Sequence, residues 1–175
     1  LLFPAAGQEE VAAEQLQRPS LALPALLATQ YAQAKLWQSW GVEPTAMIGH
    51  SMGEYTAAHL AGVFSLADAL TLVELRGRLF ETLPEGAMLS VPLPEAELLP
   101  RLTAASGPVA SIEALQQRLA EMEIDAARVR INVAAHSPML EPILAEFHAF
   151  LRGITMRAPT IAVISNFSGE PITAA

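Results

Sequence analysis

A serine stands between two glycines in Gly49-His50-Ser51-Met52-Gly53, after an apolar run and before a stretch rich in small residues. Such a turn between a strand and a helix has a chemical use. Glycines without Cβ let the chain bend sharply and push the serine Oγ outward, while the helix behind it aims free N–H groups at any oxyanion formed there. An N-capping serine is the competing reading of the same residues. A serine nucleophile needs a base, and there are four histidines, His50, His59, His136 and His148. His50 adjoins Ser51, and His59 and His148 fall inside helical stretches. His136 ends a strand-like stretch, "RVRINVAAH", just before "SPML", and strand ends in parallel α/β sheets are where sites assemble. It is the candidate base; a loop histidine bonded to backbone is the alternative.

The third residue of interest is Arg76. On a helical wheel over 66–80, the apolar residues from Leu66 to Phe80 fill one broad arc, and Arg76 lies inside it. Arg78 lies opposite, at i,i+4 from Glu74, and reads as a solvated pair. A guanidinium driven inward needs an anion. That anion is either an internal carboxylate or a substrate carboxylate held by two parallel N–H···O bonds. Ser51, His136 and Arg76 together point to acyl transfer from a substrate with a free carboxylate at its far end.

These residues need a framework of strands and helices. The chain of 175 residues is long enough for one domain with a core, and 52% hydrophobic against 16% charged residues argues for a buried α/β core. A net charge of −8 argues against nucleic-acid binding. There is no cysteine, which removes thiol nucleophiles, disulfides and cysteine-based zinc sites and is compatible with a cytoplasmic location; no metal is expected at the site. No apolar run reaches membrane-spanning length. "LLFPAAG" reads as a buried strand that begins abruptly, as in an excised part of a longer domain.

Strands are expected over 45–49, 87–91, 128–133 and 160–165. Helices are expected from Pro24 to Trp40 and over 52–61, 66–80, 94–102, 111–122 and 139–152. Residues 9–20 carry no clear signal, and 103–108 read as a loop. Ser65-Leu66-Ala67-Asp68 is close to a capping box. The alternation predicts a largely parallel α/β sheet, with 87–133 as a small separate subdomain.

The segments "GHSMGEYTAAHLAGVFSLADAL", "LRGRLF" and "AAHSPML" occur in the order found in malonyl-CoA:acyl-carrier-protein transacylases. With "ALPALLATQYAQAKLWQSWGVEPTAMIGHS", they most closely resemble the acyltransferase domains of modular polyketide synthases. The resemblance covers most of 21–142 and the "SNFSGEPIT" end. It implies an α/β-hydrolase-like core over 1–86 and 134–175 and an inserted ferredoxin-like subdomain over 87–133. It also implies a Ser51–His136 dyad that takes a malonyl-type acyl group from CoA and passes it to the phosphopantetheine thiol of an acyl carrier protein. The Met52 N–H would supply half of the oxyanion hole, and Arg76 would pair with the malonyl carboxylate. No bound cofactor is implied; flanking synthase domains are.

The chain departs from the family pattern in places. Phe3-Pro4-Ala5-Ala6-Gly7 replaces the usual Phe-Pro-Gly-Gln-Gly loop, so Ala6, or Gln8 in another register, is the second oxyanion donor. The spacing from this loop to "LALPALL" is short, the strands expected near 102–108 are absent, and the chain stops after "SGEPITAA"; these too read as parts of a longer domain. For selectivity, Met52 leans towards malonyl. Val133-Ala134-Ala135-His136 matches neither the malonyl-type His-Ala-Phe-His nor the methylmalonyl-type Tyr-Ala-Ser-His, and Ala135 removes bulk that would crowd an α-methyl group. Malonyl is favoured over methylmalonyl. A stand-alone malonyl transacylase of fatty-acid synthesis, a Gly-x-Ser-x-Gly esterase and a non-catalytic scaffold are the competing readings.

Overall fold

The computed structural model describes residues 1–98 and 105–172. The chain divides into two compact units, Leu1–Glu81 with Glu146–Ala175, and Thr82–Ala145. Residues 134–145, expected with the larger part, thus group with the smaller unit.

In the first unit, α1 (Glu9–Gln15) precedes the long α2 (Pro19–Ser39). Helix α2 begins earlier than its periodicity predicts, with Pro19 at its first turn and Pro24 inside it. Pro24 forfeits one ladder bond. The long packing of α2 against α4 (Leu66–Phe80) accommodates that loss, and the two backbones come close where Gly77 faces the Pro19 carbonyl. The start of α2 is anchored by Glu81, which accepts from the Ser20 hydroxyl at 2.5 Å and the Ser20 amide at 3.0 Å. The Ser20 hydroxyl chiefly holds the Glu81 carboxyl below its usual pKa, against the opposing effect of burial.

Strand β1 (Ala46–Ile48) leads into α3 (Gly53–Leu60) and pairs in parallel with β5 (Ala162–Ile164), with Met47 opposite Val163. Ala57, Ala61 and Val163 form a small-residue core there, and Leu27, Met52, Ala69 and Val73 form another between α2, α3 and α4. The expected capping box at α4 is complete: the Ser65 hydroxyl accepts from the Asp68 amide at 3.0 Å, and the Asp68 carboxylate accepts from the Ser65 amide at 3.3 Å. Leu1, Leu2 and Phe3 are exposed rather than a buried strand, because a strand needs a ladder partner and none pairs with them among the described residues.

The second unit holds an antiparallel sheet in the order β3-β2-β4, built from β2 (Gly86–Ser90), β3 (Ser106–Pro108) and β4 (Ala127–Arg128). Helix α6 (Val109–Glu121) buries Ile112, Leu115 and Leu119 against Ala87 and Leu89. The short α5 (Glu95–Leu98) covers part of the helix expected over 94–102, whose remainder lies outside the described residues. Residues 106–108 correct the expected loop and the expected lack of strands: Ser, Gly and Pro have little strand propensity, but the edge of β2 recruits them. The strand expected over 128–133 is broken after Arg128. The Ile131 amide turns back to the Val129 carbonyl at 2.8 Å, a γ-turn that interrupts the ladder, although Val129 and Asn132 still bond to Met88 and Gly86. A 3₁₀ turn (Pro138–Leu140) then opens α7 (Glu141–Leu151), which crosses from one unit's chain segment into the other's.

Candidate active site

Ser51 sits where β1 ends and α3 begins, with φ 51°. A left-handed serine is strained, and such residues persist only where their surroundings over-determine them. Three features do so here. Gly49 is buried, and a Cβ on it would drive into the backbone of Gly53 and Glu54, so strand and helix can approach only across a glycine. The Gly53 amide donates to the His50 carbonyl at 2.9 Å and the Glu54 amide to the Ser51 carbonyl at 3.2 Å, closing the turn. The Asn166 side-chain amide, from the turn after β5, donates to the Gly49 carbonyl and, at 2.9 Å, to Glu54 Oε1.

Ser51 is not the cap of α3. That position belongs to Met52, with no side-chain cap, and the left-handed φ of Ser51 is not the extended backbone of a capping residue. The Met52 N–H has no protein acceptor among the described residues, as an oxyanion donor requires. In the loop at 3–8, the Gln8 amide is already engaged, donating to the Ala5 carbonyl at 3.0 Å. The Ala6 amide has no protein acceptor among the described residues.

Arg76 points from α4 towards α3. It is half-buried, its Cζ lying 5.5 Å from the Tyr55 ring centroid and 5.1 Å from that of Phe80. Its Nη1 donates to the Tyr55 hydroxyl at 3.1 Å and lies 3.8 Å from Met52 Sδ. Among the described residues no carboxylate pairs with it, so the internal ion pair weighed from the sequence is absent. Arg78 makes the expected surface pair with Glu74 at 2.8 Å.

His136 belongs to the second unit, is exposed, and is also left-handed, with φ 57°. It follows an irregular buried run, Val133-Ala134-Ala135, rather than a strand end. The Ser106 hydroxyl holds the Ala135 carbonyl at 2.5 Å, and Ser137 bridges the Ala134 carbonyl and the Met139 amide. His59 instead has a structural task, bonding to the Phe64 carbonyl at 3.1 Å beside Tyr31. His50 and His148 are exposed. Among the described residues no cluster of His, Asp or Glu gathers to hold a metal, and no helix is long and apolar enough to cross a membrane.

Sequence reasoning missed Tyr55 and Asn166. Tyr55 had a readable signal: a guanidinium predicted inside an apolar arc needs an acceptor, and Tyr55 is the polar aromatic one turn beyond Ser51. Asn166 had none, because its partners lie more than a hundred residues away in the chain.

Comparison with known proteins identifies the family. Residues 8–175 match the family described as the acyl transferase domain. The chain is 39% identical over 170 residues to the phenolphthiocerol synthesis polyketide synthase type I Pks15/1 of Mycobacterium marinum, which covers 89% of this chain but only 8% of that synthase. The acyltransferase domain from the second module of the salinomycin polyketide synthase superposes with a TM-score of 0.84 at 41% identity, over 93% of this chain and 43% of that one. FabD from Acinetobacter baumannii superposes with a TM-score of 0.83 at 28% identity, over 93% and 60%. The sequence thus spans a small part of the synthase and under half of the salinomycin domain. Its fold is a mixed α/β one with a parallel strand pair, and the chain belongs to the acyl transferase domain family, with the domains of polyketide synthases among its relatives.

Proposed function

We propose that this chain is the part of a polyketide-synthase acyltransferase that loads a malonyl-type extender unit. Ser51 Oγ attacks the thioester carbonyl of an acyl-CoA while His136 takes its proton. The Met52 amide and a second main-chain amide receive the developing oxyanion, and the engagement of the Gln8 amide favours Ala6 for that second role. Collapse of the tetrahedral intermediate breaks the C–S bond, and the thiol of CoA leaves with the proton held by His136. The phosphopantetheine thiol of an acyl carrier protein then attacks the Ser51 ester by the reverse sequence, giving back free Ser51. In this reading the first unit corresponds to the α/β-hydrolase-like part, and the sheet β3-β2-β4 with α6 to the ferredoxin-like part. Flanking synthase domains and a cytoplasmic setting go with it.

The observation that carries the proposal is Arg76. A half-buried guanidinium with no carboxylate partner among the described residues, its Nη1 3.8 Å from the Sδ of the Met52 that follows Ser51, is a receptor for a visiting anion. An acetyl group leaves that charge unsatisfied, whereas a malonyl group neutralises it. Malonyl is favoured over methylmalonyl because the buried Met52, next in sequence to Ser51, brings its bulky thioether to 3.8 Å from Arg76 Nη1, while Val133 and Ala135 are the other selectivity positions.

Intact-mass spectrometry after exposure to malonyl-, methylmalonyl- and acetyl-CoA in competition tests this reading. A single malonyl adduct on Ser51 is expected. Arg76→Ala should lower malonyl loading by about thirtyfold or more while acetyl loading holds or rises, the cost of losing one partner of a desolvated ion pair. Equal loss of both would remove the carboxylate role. No adduct from any acyl-CoA would remove the enzyme.

A further inference from the structure

A long arginine side chain reads a carboxylate well only if it is already aimed. Here α3 does the aiming. The Tyr55 hydroxyl accepts from Arg76 Nη1 at 3.1 Å, and its ring lies against the guanidinium, 5.5 Å from Cζ to centroid. Phe80, one turn along α4 from Arg76, stands 5.1 Å from the same carbon. Met52 Sδ, a weak acceptor, is 3.8 Å from the same Nη1.

A guanidinium has five N–H donors, two on each terminal nitrogen and one on Nε. Both hydrogens of Nη1 therefore have a neighbour, one oxygen and one sulfur. Among the described residues, no protein acceptor takes those of Nη2 and Nε. That remaining edge matches the two oxygens of a carboxylate in the side-on fork geometry.

We propose that Tyr55 is a specificity-determining positioning residue: it holds Arg76 through Nη1 and so presents the Nη2–Nε edge to the carboxylate of a malonyl-type acyl group. The inference rests on the reading of Arg76 as the carboxylate receptor. Tyr55 lies one turn beyond Ser51, on the helix that starts at the nucleophile's turn, so anchor and nucleophile share one rigid reference. Without Tyr55 the substrate would have to immobilise a flexible side chain on binding, a cost that pre-organisation removes.

The test is Tyr55→Phe in the intact protein, with malonyl-CoA and acetyl-CoA measured side by side. Phenylalanine keeps the ring and its packing, and a melting curve checks the fold. The malonyl kcat/KM should fall about tenfold through KM, with kcat preserved, while the acetyl value stays within about twofold. Tyr55→Leu, which also removes the ring, should lower the malonyl-to-acetyl ratio further. A ratio unchanged in Tyr55→Phe, or equal losses for both substrates, overturns the role of Tyr55. Arg76→Ala separates the two levels. If it erases the malonyl preference and Tyr55→Phe does not, only Tyr55 is wrongly assigned; if it leaves the preference intact, both assignments fall.

Discussion

Ser51 and Glu123 share one backbone anomaly and nothing else. Both are non-glycine residues in the left-handed region, with φ 51° and 59°. At Glu123 this ends a helix. The Glu123 amide donates to the Ala120 carbonyl at 3.0 Å and the Ile124 amide to the Leu119 carbonyl at 2.9 Å, and the Glu123 side chain is exposed. It is the left-handed termination that glycine usually supplies, here filled by a residue that strains slightly to do so. At Ser51 the same φ turns a strand into a helix, with a buried glycine before it and the Asn166 amide clamping the turn from a distant part of the same chain. A left-handed φ is a by-product in the first case. In the second, the surrounding structure holds the proposed nucleophile against the strain.

The largest test of that contrast lies in the two glycines that flank Ser51. A Cβ at Gly49 would overlap the backbone of Gly53 and Glu54, whereas a Cβ at Gly53 meets nothing within 4 Å. Gly49→Ala should therefore cost about 3 kcal/mol, since the obstacle is main chain and cannot swing away. Gly53→Ala, at the first position of α3, should stay within about 0.5 kcal/mol of the parent. Denaturant unfolding of both variants measures the gap. Equal effects would mean that the turn is not wedged by strand and helix, and the contrast with Glu123 would shrink to chemistry alone.

Asn166 gives the next largest effect. Its amide spans the turn, bonding the Gly49 carbonyl before Ser51 and the Glu54 carboxylate after it. Asn166→Ala should cost about 1–2 kcal/mol, because it takes a partner from the carbonyl of the buried Gly49 and removes a charge-assisted bond. Amide hydrogen exchange should quicken over 47–55 and remain unchanged over 119–124, in the other unit. Faster exchange in both places would make the substitution a global destabiliser and Asn166 no clamp.

What the sequence made readable follows the same divide between local and distant causes. The wheel placed Arg76 inward and Arg78 outward because a helix's period is set by its own residues, and the capping box at Ser65 is four consecutive residues. The glycine-flanked serine was visible because its turn is local. Phe3 and its neighbours misled because an apolar run says nothing about whether a strand lies beside it. Residues 106–108 misled the other way, with loop-like types drawn into a sheet by the edge of β2. The stretch 128–133 alternates as a strand should, yet one γ-turn at Arg130 breaks it. Pro24 marked a helix correctly and its start wrongly, since packing of α2 on α4 outweighs one missing bond. Tyr55 was within reach once Arg76 was read as buried; Asn166 was not, because nothing in a one-dimensional pattern pairs residue 166 with residue 49.

The smallest effect closes the comparison from the other end. If Glu123 is only a helix terminator, glycine should serve there better than glutamate. Glu123→Gly removes the clash of Cβ with the following carbonyl in the left-handed region, worth about 1 kcal/mol, and partly offsets that gain by enlarging the unfolded ensemble. A net stabilisation of about 0.5 kcal/mol is expected, read as a higher unfolding midpoint with an unchanged denaturant slope. Acyl loading on Ser51 should not change. Ser51→Gly relieves the same backbone strain, yet it removes the oxygen that the proposed mechanism loads with the acyl group. The pair therefore separates strain that serves the proposed chemistry from strain that merely ends a helix: both variants relieve a left-handed backbone, and only Ser51→Gly loses the adduct. A loss of stability in Glu123→Gly would show that its carboxylate stabilises the end of α6 by more than the backbone strain costs, and the two turns would have to be compared on side-chain grounds instead.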